Sequence, residues 1–143
     1  EWDKALIAAS HTYLPFFRSH SDCTRYVQDC KGPHTEARNV LSCKQLGRIM
    51  IGTTRAVGEG TTEEGHPAVH QWNYCVGNSD FHMSVDHCAP VSHRAGEWSF
   101  IPAGPDHDLV ADPGKEVFYV WYEHFAREKD FDIKLLPGQK LPE

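Results

Sequence analysis

No run in this chain is apolar for long enough to span a bilayer as a helix, which takes about 20 consecutive apolar residues, so a helical membrane protein is excluded. The first residues show neither the basic start nor the apolar core of a signal peptide. A cytoplasmic location is therefore expected, with a trimmed leader left open because the chain does not begin with Met. Positive charge is scarce: 14 Lys and Arg face 20 Asp and Glu, for a net charge of -6, and no basic cluster overrides it. A nucleic-acid surface needs Lys and Arg gathered on one face, so that partner is excluded as well. The five cysteines, Cys23, Cys30, Cys43, Cys75 and Cys88, lack any CxxC zinc spacing. Reduced thiols are the simplest account, the alternative being a Cys23 to Cys30 bridge in an exported protein. Internal repeats and low-complexity segments are absent too.

What the chain does have is a succession of short strand signals separated by turns. Its 143 residues suit one domain with a working core and no disulfide staples. Asp3 to Ser10 carries helix formers, so a short N-terminal helix ending before Pro15 is expected. Val40 to Arg55 reads as strand material with Ile49 and Ile51 on one face and Met50 and Gly52 on the other, before a polar loop over Gly58-Glu59-Gly60-Thr61-Thr62. Gly77-Asn78-Ser79-Asp80 is a turn, because Gly and Asn tolerate positive φ and Ser and Asp close local hydrogen bonds. A returning strand over Phe81 to Val85 follows from it. Asp112-Pro113-Gly114-Lys115 is a second strong turn, leading into Val117 to Tyr122, a strand apolar on both faces. The pattern predicts an all-β barrel or jelly roll. It divides into an N-terminal extension over 1–40, a barrel core over 41–125 and a charged tail over 126–143.

Two spaced motifs carry the chemistry. The first is Gly58, five residues, Glu64, one, His66, three, His70, six, Gly77; the second is Gly96, five residues, Pro102, one, Gly104, two, His107. On an extended segment, residues two apart share a face, so Glu64, His66 and His70 can point one way, joined by Trp72, Tyr74 and Val76. Pro67 can break the ladder where the strand bends. By the same parity Gln71 points away from them. Past the turn at Pro102-Ala103-Gly104-Pro105, His107 is placed to close the site from a neighbouring strand. His82 is a further inward candidate or a wall residue. His93 reads as exposed, and His11, His20, His34, His87 and His124 as solvated.

These motifs resemble the paired metal-binding motifs of the cupin family, whose first motif usually has His, His and Glu where this chain has Glu64, His66 and His70. The order of donors is changed and the set retained. Four residues after the final His the family pattern has Asn, and this chain has Ala111, which is not a metal position in the resemblance. The resemblance implies the double-stranded β-helix of the cupins and one divalent transition metal (Fe, Mn, Zn or Ni) held by Glu64, His66, His70 and His107. Imidazole and carboxylate donors suit such ions, and open coordination positions would admit a substrate. Glu64 is either a ligand or a base.

Trp72 and Tyr74, with Trp98 and Phe100 opposite and His82 beside them, are expected to wall a pocket for a small organic substrate, or else to fill the core. Tyr74 or Glu64 would move a proton. Three functions follow: a metal-dependent oxidation resembling that of small cupin dioxygenases, which is the leading expectation; a non-redox lyase, cyclase or isomerase resembling the cupin dimethylsulfoniopropionate lyases or polyketide cyclases; and a ligand-binding cupin without turnover. One fold hosts many chemistries, so the motifs name the fold better than the reaction. A homodimer is expected, paired through the N-terminal segment and the last strand.

Overall fold

The computed structural model describes Lys4 and residues 17–42, 48–65 and 69–125. Ten strands follow a 3-10 turn at His20–Asp22: β1 (Thr24–Tyr26), β2 (Glu36–Leu41), β3 (Ile49–Val57), β4 (Gly60–Glu63), β5 (Val69–Cys75), β6 (Asp80–Val85), β7 (Val91–Arg94), β8 (Trp98–Ile101), β9 (His107–Val110) and β10 (Glu116–Phe125). They form a six-stranded sheet in the order β1-β2-β3-β10-β5-β8 and a four-stranded sheet in the order β4-β9-β6-β7, all neighbours antiparallel. The expected all-β jelly-roll is the observed fold. The extension expected over 1–40 is not all outside it, since β1 and β2 already belong to the large sheet. Apart from Lys4, which is helical, the helix expected over Asp3 to Ser10 lies outside the described residues, as do the bend at Pro67 and the tail over 126–143.

β10 is the keel of the large sheet, pairing with β3 on one side and β5 on the other. Its alternation puts Val117, Tyr119, Trp121 and Phe125 into the core with Met50, Ala56, Val69, Cys75, Phe81 and Leu109. Ile49 and Ile51 do turn away from Met50 and Gly52, as period-2 reading requires. Gly52 has a steric reason to be Gly. It lies opposite Trp121 in register, and a Cβ there would run into the indole ring and the Arg38 carbonyl. Both predicted turns are present, with Gly77 and Gly114 at positive φ. The segment expected as a polar loop over Gly58 to Thr62 is partly a strand, because β4 is captured by β9. Among the described residues no helix is long and apolar enough to cross a membrane.

Cys23, Cys75 and Cys88 are free, so the alternative Cys23 to Cys30 bridge is not formed. Burial, reinforced by Glu97, pushes the Cys75 thiol from 9.0 up to about 12. Burial likewise moves the Tyr119 phenol from 10.0 to about 12, against a smaller opposing pull from Lys31. The fold therefore holds both groups neutral. Their contribution is complete below the ordinary values and is lost as pH rises from those values toward the raised ones, because the unfolded chain then releases protons that the folded chain retains. Thermal melts should show a clearly lower midpoint at about pH 11 than at about pH 8. Equal midpoints would contradict the burial of these groups.

Candidate functional site

The two motifs meet where the small sheet faces the large one. β4 runs beside β9 with Glu63 directly opposite His107. Along β4, Thr61 is buried and Thr62 exposed, so Glu63 faces inward and Glu64 is exposed. His107 is buried, and its Nε2 lies 3.7 Å from Glu63 Oε2. Its Nδ1 lies 3.4 Å from the Pro105 carbonyl oxygen. A carbonyl can only accept, so Nδ1 carries the proton in that contact and Nε2 is the atom left to exchange one with its surroundings.

A clip of main chain holds the motifs together. The Gly65 N–H donates to Asp106 Oδ1 (2.7 Å), the Asp106 N–H donates to Asp86 Oδ1 (2.8 Å), and the Asp86 N–H donates back to the Asp106 carbonyl (2.8 Å). Gly65 comes so near the Gly104 carbonyl that a Cβ would overlap it. Glycine at 65 is thus required by close approach of two loops.

The third member of the site comes from far away in sequence. A turn closed by the Lys31 N–H on the Gln28 carbonyl (3.1 Å) lays residues 30–32 along β4, with the Thr62 N–H on the Cys30 carbonyl (2.8 Å) and the Gly32 N–H on the Gly60 carbonyl (3.0 Å). Lys31 then bridges Thr61 and shares its inward face. Its Nζ reaches Glu63 Oε1 at 2.9 Å, with the two side chains only 5% and 11% exposed. Burial opposes the ammonium charge, yet Glu63 and then the Tyr119 and Tyr26 phenols outweigh it, so the Lys31 pKa is held above the ordinary value. Tyr26 is pushed up by burial, while Lys31, Glu123 and Glu63 all act on it. The interior is therefore a connected set of proton-bearing groups.

The large sheet contributes Glu123 and Gln71, paired opposite each other, and Asn73. All three are buried. Gln71 Nε2 donates to Asn73 Oδ1 (2.9 Å), and Asn73 Nδ2 donates to Ser99 Oγ (3.3 Å).

This arrangement corrects the expected facing of β5. Val69, Gln71, Asn73 and Cys75 point inward, and His70, Trp72 and Tyr74 outward. His70 accepts from the Ala103 N–H (3.3 Å) and stacks on Phe100 at 5.9 Å. Trp72 packs on Phe100 (5.0 Å) and Tyr122 (5.5 Å), and Tyr74 packs on Trp98 (4.6 Å). Aromatic pairing across β8, β5 and β10 holds this outer face together, so the rings expected to wall the pocket stand on the other side of the sheet. Trp98 and Phe100 remain exposed there. His82 also faces out, 3.7 Å from Asp112, with both side chains exposed. His93, expected on the surface, is buried against Phe81 and Glu97. A slip of one residue inverts a strand's two faces, which is the size of the error at both Glu64 and His70. Spacing alone carried no signal for Lys31 or Glu63. For Gln71 the available signal was the partner pattern, because Trp98 and Phe100 alternate in step with Trp72 and Tyr74.

Of the expected metal set, His107 alone among the described residues stands in this interior. Glu64 and His70 are turned away from His107, and His66 lies outside the described residues. Glu63 and His107 are donors of the right type, but the Lys31 ammonium already sits on the Glu63 carboxylate, where a divalent ion would meet like charge. Among the described residues no three His, Cys, Asp or Glu are grouped to hold an ion.

No family model and no curated protein matches the chain. Solved structures do. The chain is similar to the polyketide cyclase RemF from Streptomyces resistomycificus, at 17% identity and a TM-score of 0.66, covering 87% of this chain and 96% of that one. An RmlC-like cupin from Shewanella frigidimarina matches at 21% identity and a TM-score of 0.59 over 79% and 93% of the two chains. KdgF from a Halomonas species matches at 17% and 0.60, over 80% and 98%. At these identities the likeness is one of fold.

Proposed function

We propose that this chain, which has the cupin fold, is a non-redox enzyme that moves a proton on a small carbonyl compound bound between its two sheets. The carrying observation is the buried chain Lys31, Glu63, His107, with 2.9 Å and 3.7 Å between successive nitrogen and oxygen atoms. Each member has a role its surroundings support. His107 Nε2 takes a proton from the carbon beside the carbonyl, since Nδ1 is committed to Pro105. Glu63 steadies the imidazolium that results. The C–H electron pair moves onto the carbonyl oxygen, and the permanently charged Lys31 holds the enolate in a low-dielectric interior where such stabilisation is strongest. Return of the proton to the opposite face of the same carbon completes an epimerisation; collapse of the enolate, which re-forms the carbonyl and makes a carbon–carbon double bond as a group on the next carbon leaves with its bonding pair, completes an elimination. Glu64 and Tyr74 take no part in this reading, because both face outward.

The lyase, cyclase or isomerase class is thereby preferred to dioxygenase-type oxidation and to binding without turnover. Deuterium wash-in tests it. Small aldehydes, ketones and keto acids in D2O should acquire deuterium beside the carbonyl with the wild-type protein and show about a hundredfold slower exchange with His107→Asn. Equal exchange by both proteins sinks the proposal. One equivalent of transition metal by elemental analysis, with dioxygen uptake that survives Lys31→Met, overturns it in favour of oxidation. A homodimer remains a proposal on the same footing, with the exposed Trp98 and Phe100 face as the surface a second copy would cover.

A further inference from the structure

Among the described residues, Gln71 is a buried side chain whose hydrogen bonds are half made. Its amide nitrogen is spent on Asn73, whose own amide nitrogen is spent on Ser99. Its Oε1 is buried and has no hydrogen-bond partner among the described residues. Turning the Gln71 amide around would set two carbonyl oxygens face to face unless Asn73 turned with it and the Ser99 hydroxyl switched from acceptor to donor. An unpartnered buried carbonyl is costly unless something fills it, and the strand gains nothing from Gln that an apolar residue would not supply. The second unpartnered buried amide atom, Asn39 Oδ1 on β2, is also an oxygen. Lys31 offers a donor and a positive charge in the same interior, and Tyr26 lies within electrostatic reach of both Lys31 and Glu123, the residue paired with Gln71.

We infer that Gln71 Oε1 anchors a hydroxyl group of the substrate, and that the substrate class is hydroxy-carbonyl compounds, with the carbonyl at Lys31 and the hydroxyl at Gln71. This rests on the proton-transfer reading for the carbonyl end only. The hydroxyl donates to Oε1, and no bond is made or broken there, so Gln71 is a positioning and specificity residue. It discriminates because a compound lacking the hydroxyl leaves the carbonyl oxygen unsatisfied, a penalty that hydrogen-bonding sites impose more sharply than apolar pockets do.

Hydroxyacetone and acetone, which share the carbonyl and differ in the hydroxyl, are suitable probes. Titration followed by nitrogen-15 spectra of the side-chain amides reads binding without turnover, the Gln71 signals being assigned by their loss in Gln71→Glu. Hydroxyacetone should shift those signals and bind about three- to tenfold tighter than acetone. Gln71→Met should erase the preference, while Gln71→Glu, which keeps an acceptor, should retain it. Should Gln71→Met fail to fold, Ser99→Ala carries the test, because freeing Asn73 unlocks the amide and should weaken the preference. Equal binding of the two probes, binding of neither, or a preference unchanged in Gln71→Met or Ser99→Ala overturns the inference. Deuterium wash-in that continues without any hydroxyl preference removes this inference and leaves the reaction class standing. A hydroxyl preference without wash-in does the reverse.

Discussion

Lys31→Met is expected to abolish deuterium exchange and to destabilise the barrel by about 3–5 kcal/mol, the usual cost of removing one partner from a buried ion pair. The size follows from what is left behind. Glu63 would remain in the interior, 11% exposed, with the ammonium at 2.9 Å gone, and water cannot reach it to compensate. Most of the loss is therefore the penalty on Glu63 and not the worth of the pair. Adding Glu63→Leu to Lys31→Met should recover much of the stability, because two apolar side chains in place of a buried pair are often neutral or better. Activity should stay lost in the double variant, since Lys31 and Glu63 both serve the reaction. Urea unfolding of the single and double variants checks the stability half, and the exchange assay checks the other. A Lys31→Met protein within about 1 kcal/mol of wild type would show that the pair is hydrated, contrary to its burial.

Gly52→Ala should destabilise by about 1–3 kcal/mol, the range for overpacking a close-packed interior, and Gly52→Val by more. The sign is the informative part. Glycine in the middle of a strand is ordinarily a weakness that Ala relieves by about 0.5–1 kcal/mol. Here the new Cβ would meet the Trp121 ring, which lies over Gly52 from the neighbouring strand, and the Arg38 carbonyl on the other side. Trp121 can yield only by shifting within the packed core, so near-ultraviolet circular dichroism should change along with stability. Trp121→Leu should make Gly52→Ala tolerable, giving a clearly non-additive pair. If Gly52→Ala raised the unfolding midpoint instead, the indole would not be packed on that glycine.

The sequence by itself determined the reversals at Gly77 and Gly114, because turn chemistry is local, and it missed β1, β4 and most of β2, which fall in segments read as an extension and a loop. It also determined the fold, since short strands at regular turn spacing point to an all-β jelly roll. What it left open was the facing of each strand. Alternation in Val69 to Cys75 defines two faces equally well, and nothing within the segment says which is inside. The tertiary structure decided that through partners elsewhere. Trp98, Phe100 and Tyr122 pair with Trp72 and Tyr74 on the outside, and Gly52 leaves room for Trp121 on the inside. Lys31 entered the site the same way, through backbone pairing with β4 at a separation of 32 residues from Glu63. A contact of that kind depends on which strands end up adjacent, and spacing along one segment carries no record of it.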